Sequence, residues 1–235
     1  MPEVAARSAL IISGGVAHDF PTSSAILAEV LGEAGFETAV TTDVEGACRG
    51  LTGERRPALL VFNMLRWTMR VERYAHLRAD WSISLSPPAR EALAGHVRHG
   101  GGILAMHGAS ICFDDWPGWR DLLGGVWRWD RSSHPPLDGP VRVTVATGSH
   151  PIVDGIGDFD VVDEVYGFLD SAPDVRGLMS SPHGGTDHPL LWAREVGAGR
   201  VVYDALGHDG RSYQVPEHRR VVQRSALWAS GHQLS

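Results

Sequence analysis

The sequence is poor in cysteine, in clustered basic residues and in long apolar runs. Its 235 residues include two cysteines, Cys48 and Cys112, which are far apart and form no C-x-x-C pair. This spacing excludes a dithiol redox motif and a cysteine-based zinc site. No segment approaches the roughly 18 consecutive apolar residues that a membrane span requires, and the first apolar run is too short for a secretory leader. We therefore expect a cytoplasmic protein with reduced thiols and no membrane partner.

Positive charge is scarce as well. Lys and Arg number 21 against 28 Asp and Glu, which gives a formal net charge of −7. Proteins that bind nucleic acid carry clustered Lys and Arg, and this chain has one short basic cluster, Arg219-Arg220. We expect no nucleic-acid partner. The length fits one large domain, and without a repeat or a long linker we predict a single domain over residues 1–235. The unusually frequent residues are histidine, with 12 copies, and tryptophan, with eight.

The pattern of apolar residues predicts an α/β fold. The first strands are expected at residues 9–13, 36–42, 58–62 and 103–106, with helices at 22–35, 44–51 and 86–100. Strands and helices that alternate at this spacing indicate a parallel sheet with right-handed crossovers. Thr22 or Ser23 is the expected N-cap of the first helix, and Ser86 that of the third.

The carboxyl-terminal half does not continue the regular alternation of strands and helices. Residues 116–140, rich in Trp, Pro and His, are predicted to form an insertion or a long loop. Further strands, several of them antiparallel, are expected at residues 141–146, 160–168, 190–194 and 200–206, before a last helix at 216–229. Residues 66–85 are too polar and irregular for a core element, and we interpret them as an excursion that covers a site or a partner.

Two histidines follow strands that we expect to open on the same crevice. In a doubly wound sheet, ligands bind beyond the carboxyl ends of the strands, where the strand order reverses. With the common order 2-1-3-4-5, His18 after the first strand and His107 after the fourth both face that crevice. Each histidine alone could be an ordinary loop residue, but their convergence indicates a functional site.

His107 occupies the place where a strand ends in a tight His-Gly turn. Hydrolases with a nucleophile elbow place Ser or Cys at such a turn, whereas here Ser110 and Cys112 come three and five residues later. An acyl-enzyme mechanism is therefore disfavoured, and Cys112 is expected to be a small buried residue. An imidazole at this turn can serve as a general base, a proton donor or a metal ligand.

Other polar residues lie near predicted strand ends. Residues 161–166 alternate with period two, which places Glu164 and Tyr166 on one face of a predicted strand and Asp163 on the other. That pair suits a polyhydroxylated ligand or acid–base chemistry, although a solvent-facing strand edge would look the same. His208 follows the strand at 200–206, and His134 lies in a turn before proline.

Three further patterns remain open or weak. Gly14-Gly15 follows a strand but is not part of a G-x-G-x-x-G motif, so nucleotide binding is only weakly indicated. Four tryptophans lie close behind the His107 turn and fit either carbohydrate stacking or core and lid packing: Trp116, Trp119, Trp127 and Trp129. Several other histidines are expected to be solvated: His76, His96, His99 and His232.

Four segments together resemble the ThuA-like (trehalose utilisation) family of the class I glutamine amidotransferase-like superfamily. They are GGGILAMHGAS, SHPIVDGIGDF, DEVYGF and GAGRVVYDALGHD, the last followed by ALWA, and the similarity spans about residues 10–228. The resemblance implies a flavodoxin-like three-layer sandwich, with a mostly parallel sheet and additional antiparallel strands. It also implies that His107 replaces the catalytic cysteine of amidotransferases and that His208 matches their triad histidine. Amidotransferase activity should therefore be absent.

The resemblance further implies a bacterial carbohydrate-catabolism enzyme that acts on an oxidised (3-keto) glycoside by isomerisation or eliminative cleavage. In this hypothesis His107 or Glu164 abstracts a proton, and His208 with Tyr166 or His18 polarises the carbonyl or returns a proton. Ala109 stands where a second glycine often follows His-Gly in the family, so the substrate is left open.

A divalent metal is an alternative to protein oxyanion donors. His18, His134, Glu164 and His208 are ligand types that suit zinc, although their spacing matches no compact metal motif and no cofactor is certain. The expected partners are a small carbohydrate and, as a further possibility, other copies of the chain in a homo-oligomer. The competing hypotheses are a non-catalytic sugar-binding or regulatory protein and a hydrolase, either metal-dependent or based on Cys112.

Overall fold

The computed structural model describes residues 7–53 and 56–234. The strands are β1 (Arg7–Gly15), β2 (Phe36–Thr41), β3 (Leu59–Leu65), β4 (Gly102–Met106), β5 (Gly125–Val126), β6 (Val141–Val145), β7 (Phe159–Val161), β8 (Asp170–Ser171), β9 (Met179–His183), β10 (Thr186–Val196) and β11 (Gly199–Asp204). The α-helices are α1 (Phe20–Glu33), α2 (Val44–Arg49), α3 (Arg78–Trp81), α4 (Pro87–Arg98), α5 (Pro117–Leu123) and α6 (Pro216–Ala229). In these residues, no helix is long and apolar enough to cross a membrane.

One large mixed sheet organises the molecule. Its strand order is β2-β1-β3-β4-β11-β10-β9-β6-β7, and β5 pairs separately with β8. The pairs from β2 to β11 are parallel, while β10, β9, β6 and β7 add to them by antiparallel pairing. The predicted order of the first four strands is confirmed, as is the mostly parallel sheet with antiparallel additions.

The central strands are buried on both faces. All seven residues of β3 and all five of β4 are buried. Because successive side chains point to opposite faces of a strand, both faces of the sheet must be covered. Helix α1 contacts α6, and α2 contacts α4. The fold is thus an α/β sandwich of the flavodoxin-like type.

Helix starts follow local capping chemistry, with one correction. Ser86 is the N-cap of α4, as predicted. The prediction of Thr22 or Ser23 for α1 is wrong, because Asp19 caps this helix and accepts a hydrogen bond from the Thr22 N–H at 3.2 Å. The carboxylate of Asp19 reaches the first turn, so the helix begins at Phe20, before the two candidate residues.

The carboxyl-terminal half differs from the prediction in three places. The strand expected at 160–168 ends at Val161, and the following residues are irregular because the Asp163 side chain, not a neighbouring strand, accepts the Glu164 N–H at 2.8 Å. The strand expected at 190–194 is part of the longer β10, which pairs with β9, an element that was not predicted. Residues 116–140 are not one loop, since they contain α5 and β5.

His96 corrects the expectation that this histidine is solvated. Its side chain is 1% exposed and fills the space next to Gly101, where a Cβ atom would lie 2.2 Å from His96 Nε2. Burial and the charge of Arg56 lower the pKa of His96 to about 4. The ring is therefore a neutral packing residue at the end of α4. His96 lies on the buried face of the helix, a position that its own residue type does not reveal.

Candidate active site

The carboxyl ends of three parallel strands bring three histidines together. His107 follows β4 directly, His18 lies three residues beyond β1, and His208 lies four residues beyond β11. Parallel strands present their carboxyl ends at one edge of a sheet, which is where ligands bind in folds of this class. The predicted convergence of His18 and His107 is confirmed by ring centroids 5.0 Å apart, and the His18 and His208 rings are 4.5 Å apart.

Two glycines make the close approach of these loops possible. Gly15 has φ +135°, and a Cβ atom there would lie 2.2 Å from the backbone oxygen of Leu65. Gly207 has φ +114°, and a Cβ atom there would lie 2.5 Å from the Tyr213 hydroxyl oxygen. A side chain at either position would displace the loop that carries His18 or His208.

His107 itself sits in a sharp turn, as predicted. Its φ is +41°, which is uncommon for a residue other than glycine and is often found at functional sites. The turn is held by two hydrogen bonds: the Tyr203 hydroxyl donates to the His107 carbonyl at 3.0 Å, and His107 Nδ1 donates to the Ala205 carbonyl at 2.6 Å. The imidazole is thereby fixed with Nε2 directed into the crevice.

Glu164 lies at the centre of the histidine cluster. Its Oε2 atom is 3.3 Å from His107 Nε2 and 3.3 Å from His208 Nδ1. Its Oε1 atom is 3.4 Å from Nδ1 of His134. The carboxylate is largely buried, with 11% of the side chain exposed. One carboxylate therefore faces three imidazoles, with the His18 ring beside them.

Burial and mutual contact set the charges in the cluster. Burial, together with the nearby His107 and His208, lowers the pKa of His18 to about 4, so its ring is neutral at pH 7. Burial acts to raise the pKa of Glu164, but contact with His107 and His208 outweighs it and holds the pKa below its usual range. Contact with Glu164 raises the pKa of His208. The site thus combines an ionised carboxylate with at least one neutral imidazole.

His134 and Tyr166 complete the set of residues singled out in the sequence. His134 Nδ1 lies 2.9 Å from the Pro135 carbonyl, and its half-exposed ring lines the cavity. The Tyr166 ring packs on His107 with centroids 4.3 Å apart. Burial, reinforced by the charge of Glu164, raises the pKa of Tyr166 well above its usual value, so the phenol stays protonated. All six candidate residues therefore lie in one place.

An aromatic wall lines, together with the cluster, a cavity of about 680 Å³. The wall consists of the rings of Trp67, Tyr74, Trp81, Trp127 and Trp129. Three of these belong to residues 66–85, which confirms that this excursion covers the site. The predicted group of four tryptophans is divided, because Trp127 and Trp129 line the cavity whereas Trp119 is fully buried in the core.

Two residues of the aromatic wall, Trp67 and Tyr74, are absent from the candidates that the sequence indicates. Trp67 lies two residues beyond β3, so its position after a parallel strand is a signal of the same kind as those of His18 and His107. Tyr74 lies in a short 3₁₀ turn without apolar periodicity, and nothing in its local sequence marks it. Arg73 stacks its guanidinium over Tyr74 at 4.6 Å, which helps to hold the wall.

A second cavity of about 680 Å³ adjoins the first one. The two cavities share Gly15, His18 and Trp81 in their linings. The second one lies against the amino-terminal end of α1 and is bordered by Phe20 and Arg66. His18 therefore separates two spaces, of which the first contains the Glu164 cluster.

The alternative nucleophiles are turned away from this cleft. Cys112 is 2% exposed, its thiol donates to the Met64 carbonyl at 3.4 Å, and burial raises its pKa to about 12. Ser110 Oγ lies 3.0 Å from the Tyr203 hydroxyl oxygen in the core. The expectation that Cys112 is a small buried residue is confirmed.

A comparison with protein families gives a match over nearly the whole chain. Residues 8–229 match the ThuA family, described as "Trehalose utilisation". The chain belongs to the ThuA family. The predicted resemblance is confirmed, and the match covers nearly all of the sequence, including every residue of the cluster. No match was found among curated proteins.

Solved structures support the ThuA assignment at the level of the fold. A ThuA-like protein from Parabacteroides merdae has a TM-score of 0.76 at 18% identity, covering 95% of this chain and 90% of that protein. A ThuA-like protein from Bacteroides uniformis gives 0.65 at 19% identity, covering 97% and 95%. A cytoplasmic protein from Salmonella typhimurium LT2 gives 0.63 at 13% identity, covering 95% and 97%.

Proposed function

We propose that this ThuA-family protein is an enzyme of carbohydrate catabolism that acts on a keto-sugar or keto-glycoside by proton transfer. The observation that carries the proposal is the ionised Glu164, which lies between His107 and His208 at 3.3 Å from each and faces a ligand-sized cavity. Following the Salmonella relative, we expect the enzyme to act in the cytoplasm.

The composition of the cavity favours a sugar. The aromatic rings of Trp67, Trp127 and Trp129 line the same cavity as the polar cluster, a combination that suits the apolar and hydroxylated faces of a sugar ring. The adjoining cavity beyond His18 offers room for the group attached to that ring. The family description, trehalose utilisation, agrees with a carbohydrate substrate.

A keto group makes proton abstraction feasible at a neighbouring carbon. A base removes the hydrogen next to the carbonyl, and the C–H electron pair forms an enolate. In eliminative cleavage that pair forms a new C=C bond as the adjacent C–O bond to the leaving group breaks, and the leaving oxygen takes a proton from an acid. In isomerisation the hydroxyl proton of the carbon that lost its hydrogen moves to the former keto oxygen, and the base delivers a proton to the former carbonyl carbon, so the carbonyl moves by one position. Both outcomes need a base, an acid and stabilisation of negative oxygen.

The cluster contains groups for each of these tasks. Because His107 Nδ1 donates to the Ala205 carbonyl, Nε2 is the ring nitrogen left to face the cleft and to serve as the candidate base. Glu164 is the alternative base. His208 and the protonated Tyr166 are suited to donate a proton or to hydrogen-bond an enolate oxygen. Each such group contributes about 10²–10⁴-fold to a rate.

The experiment is incubation of the purified protein with 3-keto-trehalose and related keto-glycosides in D₂O. NMR detects both the products and deuterium incorporated next to the ketone, with an enzyme-free reaction as background. We expect turnover by the wild type and a loss of about 10²–10⁴-fold in His107→Ala and in His208→Ala. His99→Ala, an exposed histidine outside the cleft, is the matched control.

Two outcomes would contradict the proposal. Activity that survives both substitutions would remove the histidine cluster from the reaction. Sugar binding by calorimetry without exchange or turnover would instead indicate a non-catalytic binding protein.

A further inference from the structure

Three buried ring nitrogens in the cleft make no hydrogen bond of good geometry within residues 7–53 and 56–234. They are His18 Nε2, His107 Nε2 and His208 Nδ1, of which the last two lie 3.3 Å from Glu164 Oε2 without hydrogen-bonding alignment. These atoms and one Glu164 oxygen all lie within 4.8 Å of one another. Buried polar atoms are normally paired, so several unpaired atoms that converge on one point call for an explanation.

The other nitrogens of two rings show which form these atoms take. His107 Nδ1 lies 2.6 Å from the Ala205 carbonyl, and His18 Nδ1 lies 3.2 Å from the Val16 carbonyl. A carbonyl oxygen only accepts hydrogen bonds, so both Nδ1 atoms carry the proton. Each Nε2 is then the ring nitrogen available as an acceptor, and it lies within 4.8 Å of a Glu164 oxygen. A cation between these acceptor nitrogens and the carboxylate would stabilise the arrangement.

We propose that His18, His107, Glu164 and His208 form a binding site for one divalent metal ion, with zinc as the ion that fits best. Three imidazole nitrogens and one carboxylate oxygen are borderline and hard ligands of the kind that zinc accepts. The set has four members, which matches the tetrahedral preference of zinc.

The distances suit such an ion after a small contraction. Ligand atoms around a tetrahedral zinc lie roughly 3.3 Å apart, given metal–ligand bonds of about 2.0–2.1 Å. Glu164 Oε2 is already 3.3 Å from the unpaired nitrogens of both His107 and His208. The widest pair lies within 4.8 Å, so the remaining movement is within the reach of a side-chain rotation.

The four proposed ligands have the hydrogen-bond partners that usually surround a metal site. Metal-bound histidines usually donate their second N–H to a carbonyl or carboxylate, which fixes the ring. The carbonyls of Val16 and Ala205 fill this role here. Asp163 holds the other two ligands through their backbone, because its carboxylate accepts the N–H groups of Glu164 at 2.8 Å and His208 at 3.2 Å.

The role that we give the ion rests on the proposed function. A divalent cation would bind the keto oxygen and stabilise the enolate charge, as a Lewis acid does. The four ligand atoms would then no longer be free for proton transfer. His134 and Tyr166, which line the same cavity outside the ligand set, would become the acid and base.

The test measures Zn²⁺ itself and needs no sugar. The full-length protein is purified without a metal-affinity tag, its metal content is measured by plasma mass spectrometry, and Zn²⁺ is titrated into chelator-treated protein by calorimetry. We expect about one ion per chain. His18→Ala and Glu164→Gln should weaken binding by more than the roughly 10–100-fold that loss of an outer partner costs. Cobalt substitution should give the visible spectrum of a four-coordinate ion.

The controls separate this site from adventitious binding. His99→Ala, on the surface, should bind Zn²⁺ as the wild type does. His134→Ala keeps the four ligands but removes a neighbour 3.4 Å from Glu164, so it should weaken binding by no more than about 10–100-fold. Circular dichroism checks that each variant is folded, and the Zn²⁺ stoichiometry of the wild type is a test that does not depend on any variant.

A wild type that binds no Zn²⁺ in stoichiometric amount would overturn the proposal. Equal affinity in His18→Ala, Glu164→Gln and the controls would overturn it too. Because no substrate is involved, keto-sugar turnover can fail while this site is confirmed, or the reverse.

Discussion

The buried carboxylate of Asp163 accepts a hydrogen bond from the backbone N–H of His208 at 3.2 Å. It also accepts one from Gly207 at 2.7 Å and one from Glu164 at 2.8 Å. A single side chain therefore joins the loop after β11 to the irregular segment after β7. Two of the residues whose backbone it binds, Glu164 and His208, also meet through their side chains at 3.3 Å. We infer that Asp163 is a positioning residue for the cluster.

The first prediction concerns Asp163→Asn. An asparagine oxygen can accept some of the three bonds, but its NH₂ group cannot, so at least one is lost. Hydrogen bonds to charged groups are worth about 1.5–3 kcal/mol each, and we expect unfolding free energy to fall by about that amount. Chemical denaturation measures this change, and Zn²⁺ affinity measured on the folded variant should fall about 10–100-fold. Asp160→Asn, at an exposed neighbour on β7, should change stability by less than about 0.5 kcal/mol. Unaltered Zn²⁺ affinity in Asp163→Asn would limit Asp163 to a structural role.

A second prediction separates the functions of His134 and His208. His134→Ala should lose no more than about 10–100-fold in metal affinity, the effect of an outer partner. At saturating Zn²⁺ it should still lower turnover of a keto-glycoside by about 10²–10⁴-fold, because it removes a proton-transfer group. His208→Ala should lower both. The two measurements are zinc titration and steady-state kinetics on the same preparations. Parallel losses of affinity and turnover in both variants would contradict this division of roles.

The aromatic wall gives a third prediction. Trp129→Ala removes a ring from the cavity. We expect KM for the sugar to rise about threefold to tenfold with little change in kcat, because an aromatic contact is worth about 0.5–1.5 kcal/mol. Trp116→Ala is the control, since Trp116 lies under Arg90 outside this cavity. A similar KM increase in both variants would show that the effect is not local contact with the sugar.

Cys112 provides the fourth prediction. Because burial raises the pKa of its thiol to about 12, the native protein should resist inactivation by iodoacetamide at pH 7–8. Cys112→Ala should retain catalytic activity and lose only stability, through a small core cavity. The measurements are residual activity after alkylation and thermal unfolding of the variant. Rapid inactivation that follows alkylation of Cys112 would restore the cysteine-hydrolase hypothesis.

The convergence of His18, His107 and His208 could be predicted because it depends on topology. Apolar runs in the sequence locate the parallel strands. Because ligands bind beyond the carboxyl ends of such strands, residues that follow the strands are expected at the binding crevice without knowledge of side-chain packing. Glu164 lies in the cleft, but the strand face that the sequence pattern predicts for it is wrong. It lies in an irregular segment held by Asp163.

The remaining parts of the site depend on contacts that local sequence does not encode. Tyr74 reaches the cleft because the excursion at 66–85 folds back over it, and no periodicity specifies that path. The same limit applies to His96, whose burial follows from the packing of α4 against the turn at Gly101. Long-range contacts such as that between Asp163 and Gly207 likewise join residues distant in the chain.

The most direct test of this account is a crystal structure of the zinc-loaded protein with anomalous data collected above and below the zinc edge. We predict one strong peak bonded to His18, His107, Glu164 and His208, with metal–ligand distances of about 2.0–2.2 Å. Zinc bound elsewhere with this position empty, or the three rings on separate surfaces, would contradict the account.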